Sequence, residues 1–250
     1  MPNLNRMLEY VEIETCSSCT RKCPWCLYGQ VEGFADQPFE ILKTSYIEKI
    51  LYELLENNFK GTVSFYSMNE PLLDERIIDG SLFRICKKIL GDAVKIKLNT
   101  NADLLTEEIL KGMKESGLDF ASISCYDMEV LNKVKEYYHK FKGVNCRDYT
   151  NENQNKLKYN RAGSIESITD LDNTNFATCH MPYYTTVIGY DGKVRLCAFD
   201  SLGQIDIGSI KEQNLFDILN SDRMKKLRKE ILNNRMNIAP CNKCNFYNFN

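Results

Sequence analysis

The strongest constraint on the fold is an alternation that runs from Leu8 to Arg147. Leu8 to Glu14 alternates apolar and polar residues and predicts a first strand. Thr44 to Asn58 carries apolar residues at helical spacing, with a Thr or Ser cap at its start. Thr62 to Tyr66 predicts a second strand, Ser81 to Leu90 a helix, and Val94 to Leu98 a third strand. Thr106 to Ser116 again has helical spacing, opening on a loose capping box. Asp119 to Cys125 predicts a fourth strand, Met128 to Phe141 a helix, and Gly143 to Arg147 a fifth strand. Repeated strand–helix units demand a parallel sheet, open or closed into a full or partial barrel.

After Arg147 the pattern changes. Thr150 to Lys158 is polar and reads as a loop. Thr185 to Tyr190 and Lys193 to Cys197 flank Asp191-Gly192, a strong hairpin signal. Leu215 to Leu232 predicts one helix, followed by Pro240 and a terminal pair of cysteines. A boundary near residue 165 divides the chain into 1–165 and 166–250.

The chain has 250 residues and a formal net charge of −2, with 43% hydrophobic and 11% aromatic residues. That balance argues against disorder and gives no basic field for gripping nucleic acid. Met1 to Arg6 leads into no apolar segment of secretory length, and no apolar run is long enough to span a membrane. The expectation is a cytoplasmic chain with no membrane and no nucleic-acid partner.

Against this ordinary background stand 11 cysteines beside only 2 histidines. In a reducing compartment, clustered cysteines point to metal or cluster ligation before disulfides. Cys19, Cys23 and Cys26 have the spacing C-x3-C-x2-C directly after the first strand. That places them at the end of a parallel strand where active sites collect. Three thiolates suit a 4Fe–4S cluster with one iron left open. Cys16-x2-Cys19 with Cys23-x2-Cys26 leaves zinc as an alternative, although the loop between the pairs is short for a structural zinc site. A second set, Cys179, Cys197, Cys241 and Cys244, fits a closed tetrahedral metal site or a fully ligated cluster. His180 adjoins Cys179, but four thiols complete that site without it, and His139 reads as solvated.

Several ordered segments resemble the radical S-adenosylmethionine (SAM) superfamily. Besides Cys19-x3-Cys23-x2-Cys26 with Trp25, these are Ser67-Met68-Asn69-Glu70-Pro71 after strand two, Asn99-Thr100-Asn101-Ala102 after strand three, and Ser122-Ile123-Ser124-Cys125-Tyr126-Asp127 in strand four. The resemblance implies a partial (β/α) TIM-like barrel, in which SAM binds the open iron. It assigns Cys19, Cys23 and Cys26 to the cluster, Glu70 to the methionyl amine and Trp25 to the adenine side. Met68, Asn69, Asn99, Asn101, Ser122 and Ser124 become candidate contacts to SAM or substrate.

The chain departs from the family pattern at Met68-Asn69, which replace two glycines, and at Ala102, which replaces a third. An Asn tolerates positive φ, so the first turn is expected to survive. Cys16 is an extra thiol, expected to be a non-ligand.

Cys179-His180-Met181-Pro182, Gly189 to Cys197, Ile207 to Ile210 and Leu215 to Asn220 resemble the SPASM and Twitch auxiliary-cluster domains. Four cysteines fit the short Twitch form, a β-hairpin plus helix holding a second 4Fe–4S cluster. The resemblance implies an oxidoreductase in which a 5′-deoxyadenosyl radical removes a substrate hydrogen and the second cluster takes an electron. Flavodoxin or ferredoxin is the implied reductant. Tyr159-Asn160-Arg161-Ala162-Gly163 resembles a segment of radical SAM dehydrogenases acting on aminocyclitols. It suggests Arg161 as a residue that binds a substrate hydroxyl or lowers its pKa, being too basic for a general base.

Other readings stand beside this one. In an epimerase a thiol returns the hydrogen atom, and Cys125 is the first candidate, ahead of Cys146 and the core residue Cys86. Peptide modification and a non-catalytic iron–sulfur or zinc protein are further alternatives. The substrate is expected to be a small molecule or short peptide.

Overall fold

The computed structural model describes residues 7–151, 159–165 and 178–246. The polar segment ending at Lys158 lies partly, and the boundary between 165 and 166 immediately, outside them.

Strand β1 (Tyr10–Ile13) is followed by a short helix α1 (Leu27–Gln30) and by α2 (Thr44–Glu56). Then come β2 (Thr62–Ser64), α3 (Glu75–Ile78), α4 (Ser81–Leu90), β3 (Lys95–Thr100), α5 (Glu107–Glu115), β4 (Phe120–Cys125), α6 (Met128–Lys135) and β5 (Val144–Asp148). The later elements are α7 (Met181–Tyr184), β6 (Thr185–Ile188), β7 (Val194–Arg195), α8 (Leu215–Leu219) and α9 (Asp222–Asn234).

The seven strands form one sheet in the order β5-β4-β3-β2-β1-β6-β7. All pairings are parallel except β6 with β7. The fold is α/β, an open partial barrel of parallel strands, as the strand–helix alternation demands. Val11, Ile13, Val63, Ile96, Leu98 and Ile123 turn outward and pack under Ile47, Leu51, Leu54, Phe83, Leu110 and Leu131 of the helices. The alternate strand residues, among them Glu12, Ser64, Lys97, Asn99, Ser122 and Ser124, line the other face of the sheet.

Three local expectations change. The helix expected from Leu215 to Leu232 is two helices, α8 and α9. Ser221 stops the first and caps the second, its side chain accepting from Met224 N. The fourth helix ends at Lys135, and Tyr138–Lys140 is a separate 3-10 turn. Thr44 is not a cap: Lys43 holds that position without a side-chain bond. Thr44 Oγ1 instead accepts from Arg76. Thr106 does cap α5, accepting from Ile109 N.

The hairpin β6–β7 is not detached from the barrel. Tyr10 to Ile13 pair in parallel with Thr185 to Ile188, so β6 extends the barrel sheet beyond β1. Lys49 of α2 reinforces the join, donating to Ile210 O and Gln213 O. Glu53 of the same helix accepts from Leu215 N at the start of α8.

Candidate active site and a second thiol set

The loop between β1 and α1 carries the first three cysteines. Cys26 N donates to Cys23 O at 3.0 Å, and Gly29 N donates to Cys26 O. Gly29 is required here by close approach: a Cβ would stand 2.2 Å from Cys23 O. The loop rests on a small separate core of Leu27, Tyr28, Met68 and Ile165. Burial pushes the Cys19 thiol up to about 12 and the Cys23 thiol up to about 11, and neighbouring thiolates add to both shifts. Three thiolates so placed repel one another unless a cationic centre lies among them, which is the donor chemistry an iron–sulfur cluster satisfies. Among the described residues no three His, Cys, Asp or Glu side chains form a set for a single metal ion.

Arg21, inside the same loop, clamps it to the barrel mouth. Its guanidinium pairs with Asp103 after β3 and with Asp127 before α6. Nε lies 2.8 Å from Asp103 Oδ1. Thr20 donates to the same carboxylate. Neither Arg21 nor Asp103 was marked by motif reasoning. Their separation in sequence leaves no periodic signal, and the one hint is an arginine lying within a cysteine motif.

These residues open onto a cavity of about 430 Å³, large enough for a drug-sized ligand. Cys19, Cys23, Cys26, Trp25, Met68, Asn69, Glu70, Asn99, Asn101 and Ser124 all line it, and so does Arg161. The sequence thus brings most of its candidates to one place.

Glu70 ties the site together. Its Oε1 accepts from Thr100 Oγ1 at 2.6 Å and from Leu72 N, and its Oε2 accepts from Asn101 N at 2.8 Å. Burial raises this carboxyl to about 7 against those three bonds. Asn101 in turn donates to Thr20 Oγ1 and approaches Cys19 Sγ at 3.7 Å. Trp25 leans on Tyr126, which stacks on Tyr149, and the three rings make an aromatic wall of the cavity.

The replaced glycines behave differently from one another. Ala102 occupies the left-handed region at φ 64°, where its N–H donates to Thr100 Oγ1. The turn keeps its shape at the conformational cost of a side chain in that region. Met68 and Asn69, by contrast, do not use positive φ. Their turn is held by side chains: Met68 N donates to Glu14, and Ser67 N to Asn69 Oδ1. Asn69 also donates to the buried Cys16 sulfur, which is turned away from the cavity.

Two candidates are placed elsewhere. Ser122 faces inward but lies below the cavity and donates to Asn145 Oδ1 at 2.7 Å. Cys125 is a correction. As the strand residue between Ser124 and Tyr126 it points to the opposite face, is fully buried in the main core and sits 3.5 Å from Cys146 Sγ. It cannot present a hydrogen atom to a ligand in the cavity, so the structure gives the epimerase reading no donor there. Cys86 is core, as expected.

Arg161 and Ala162 both adopt positive φ, 50° and 52°. This unusual pair turns the arginine toward the cavity, with its guanidinium 5.8 Å from the Phe199 ring and its Nε buried without a partner among the described residues. Asn160 anchors the turn, bonding Lys243 O and Asn245.

Cys179, Cys197, Cys241 and Cys244 gather around a second, small apolar hollow, with Phe199, Phe246 and Pro182 in its wall. Burial raises all four thiols. Arg235 is wholly buried against them and lowers the pKa of Cys179, Cys241 and Cys244. It donates to Cys244 O and Phe246 O. Such a cation favours a set of thiolates; nothing in its sequence context announces it. His139 is exposed.

Parallel strands with cysteines on the first loop, an acidic residue after the second strand and a second thiol set beyond the barrel define an iron–sulfur enzyme of the SAM-radical type. The comparisons agree: residues 13–145 match the Radical SAM superfamily, and the chain belongs to it. Residues 179–245 match the SPASM iron–sulfur cluster-binding domain. The protein is therefore a SAM-using, iron–sulfur oxidoreductase.

Among known proteins it is 24% identical to the S-adenosyl-L-methionine-dependent 2-deoxy-scyllo-inosamine dehydrogenase of Niallia circulans, over 97% of this chain and 94% of that one. An uncharacterised protein of Methanocaldococcus jannaschii is 30% identical over 58% of this chain and 41% of its own. The structure of BtrN in complex with AdoMet and 2-DOIA shares the fold with a TM-score of 0.80, at 22% identity and with 96% and 93% of the two chains covered. The AdoMet-bound anSMEcpe structure matches less closely, with a TM-score of 0.56, 14% identity and 88% and 79% coverage. No helix among the described residues is long and apolar enough to cross a membrane.

Proposed function

We propose that the protein is a radical SAM dehydrogenase that oxidises a carbinol of a small polar substrate, such as a cyclitol or sugar. Residues 1–165 form the catalytic partial barrel and residues 166–250 a Twitch-type auxiliary domain. The observation that carries the reading is the pairing of two separate thiol sets, one lining the large cavity and one enclosed beyond Arg161.

Cys19, Cys23 and Cys26 hold the first cluster, and Cys179, Cys197, Cys241 and Cys244 the second. When bound, the first cluster and SAM supply a radical able to take a hydrogen atom from carbon. The chain does the rest. Asn101 supports Cys19, Arg21 fixes the loop, and Glu70 orders the loop that receives the methionyl end of SAM. Trp25, Tyr126 and Tyr149 give the adenine side an aromatic face. Arg161 meets the substrate hydroxyl and favours its deprotonated form, since a nearby fixed cation stabilises the anion. Phe199, stacked on Phe246 and beneath Arg161, continues from the cavity side to the second thiol set. The hydroxyl proton would leave to water, and the electron remaining on the substrate radical would pass in that direction to the second cluster, which would be reduced by one electron. The near-neutral charge supports a partner other than nucleic acid, and a flavodoxin or ferredoxin supplies the reducing electron.

The test is product mass with the reconstituted enzyme. Loss of two hydrogens from substrate, one 5′-deoxyadenosine formed per turnover, and loss of all cleavage in Cys19→Ala are expected. An unchanged product mass with deuterium gained from heavy water would replace this reading by epimerisation.

A further inference from the structure

Three cations converge on the barrel interior and none has an ion-pair partner among the described residues. Arg147 comes from β5, Lys97 from β3 and Arg161 from the turn after the barrel. Arg147 and Arg161 line the cavity. Lys97 does not line the cavity but lies on β3 a rung below Asn99, half-buried, with its amine 5.5 Å from the Tyr10 ring. Burial first, and then the charge of Arg147, lower its pKa.

The other cation of the site, Arg21, is spent on Asp103 and Asp127, and Arg195 is spent on Glu14 at 2.7 Å. Glu70 is occupied by Thr100, Leu72 and Asn101. Among the described residues that leaves one carboxylate near the three cations. Glu12 lies in the same rung of the sheet as Ser64 and Lys97, is buried and accepts no hydrogen bond among the described residues. Burial outweighs Arg161 and Lys97 and raises it to about 7, so it is a weak counter-charge near neutral pH. Among the described residues, the end of the interior away from the cysteine loop therefore carries a surplus of positive charge inside low-dielectric walls, where an anion is drawn in and a cation repelled.

We infer that the substrate carries an anionic group, a carboxylate or phosphate ester on a hydroxylated skeleton, seated on Arg147 and Arg161 with Lys97 at the floor beneath them, and that an ammonium-bearing analogue is disfavoured. The inference rests on the oxidoreductase reading of this same cavity and sharpens its substrate class. Glu12 is left to accept from a hydroxyl. SAM brings a carboxylate of its own, a second source of the same chemistry. Lys97, two residues below Asn99 on β3, is the discriminating group.

The experiment uses the full-length enzyme reconstituted with both clusters, in the presence of SAM. Binding by calorimetry and two-hydrogen loss by mass are measured for glucose 6-phosphate, glucuronate and myo-inositol 1-phosphate. The same is done for glucose and myo-inositol as neutral parents, and for glucosamine and 2-deoxy-scyllo-inosamine as amines. At least one anionic member is expected to bind about tenfold or more tightly than its neutral parent and than the amines. Lys97→Gln is expected to reduce that preference to within about threefold without weakening SAM. Equal binding across the set, no binding by any anion, or tightest binding by an amine overturns the inference. So does a Lys97→Gln enzyme that loses SAM affinity and keeps the substrate preference. The two readings separate cleanly. An amine that loses two hydrogens leaves the dehydrogenase standing and removes the anion site. An anion that binds tightly and is returned with unchanged mass does the reverse.

Discussion

Arg21 Nε and Asp103 Oδ1 stand 2.8 Å apart, and through this contact the cysteine loop is fastened to the far end of β3. Both side chains are about one-fifth exposed, so the pair contributes little to global stability, of the order of 1 kcal/mol or less. Its role is positional. Arg21→Lys keeps the charge and loses the fork. The expected result is a melting temperature within a few degrees of wild type and a markedly faster loss of iron to a chelator. Unchanged iron retention would show that the clamp is incidental.

Gly29→Ala tests the cysteine loop from the other side. The new methyl group meets backbone rather than a flexible side chain, so Cys23 must move. Iron content is expected to fall by about four per chain, the content of one cluster, while the far-ultraviolet spectrum keeps its α/β form. Full iron content would refute Cys23 as a ligand in this geometry.

The pH dependence of stability has a definite sign. Glu12 and Glu70 both titrate near 7 in the fold, against 4.5 when unperturbed, chiefly through burial. Between those values the folded chain keeps protons that the unfolded chain has released. The stability from each group is therefore complete below about 4.5 and lost as pH rises through about 7. In cofactor-free protein, Glu12→Gln should flatten this fall. Urea midpoints at pH 5.5 and pH 8 measure it, and a slope identical to wild type would contradict the burial of Glu12.

Cys125→Ala separates the two hydrogen-transfer chemistries. The thiol lies in the core, so a small cavity is made, costing about 1 kcal/mol or somewhat more. Product mass and turnover should remain those of wild type. Loss of turnover with a stably folded variant would restore a thiol donor.

Arg235→Met removes the buried cation beside the second thiol set. Two backbone carbonyls lose their donor, at a cost of about 1–3 kcal/mol each. If a cluster sits there, its reduction potential should move to more negative values, because its oxidised form is relieved of a nearby positive charge. Voltammetry of the variant measures this, and a shift in the positive direction would exclude Arg235 as a neighbour of that centre.

Much of this architecture was legible in the residues because local periodicity writes it down. Val11 and Ile13 alternate with Glu12 in β1, and the helices α4 and α5 begin and end close to where their apolar spacing does. Cys19, Cys23 and Cys26 announce themselves because their spacing is local, three thiols on one short loop. What escaped was long-range. The pairing of β6 with β1 joins residues some 175 apart and has no local signature. Arg21 with Asp103, Arg235 among the thiols and Glu12 beside Lys97 are each assembled only by folding. The break at Ser221 escaped for another reason: Ser-Asp within a continuing apolar spacing marks a cap only once the chain has turned there. Cys125, a candidate by its place at the end of a strand, looks into the core because strand phase, not strand membership, decides which way a side chain points.

The pairing of β6 with β1 has a mechanical meaning. The first thiol loop leaves the end of β1, and Cys197 follows two residues after β7, which is hydrogen-bonded to β6. The loop of Cys19, Cys23 and Cys26 and the loop of Cys197 thus hang from strands of one sheet, with a single strand, β6, between them. Their separation is set by the rungs of that sheet, so the spacing between the two loops is gauged by the fold itself.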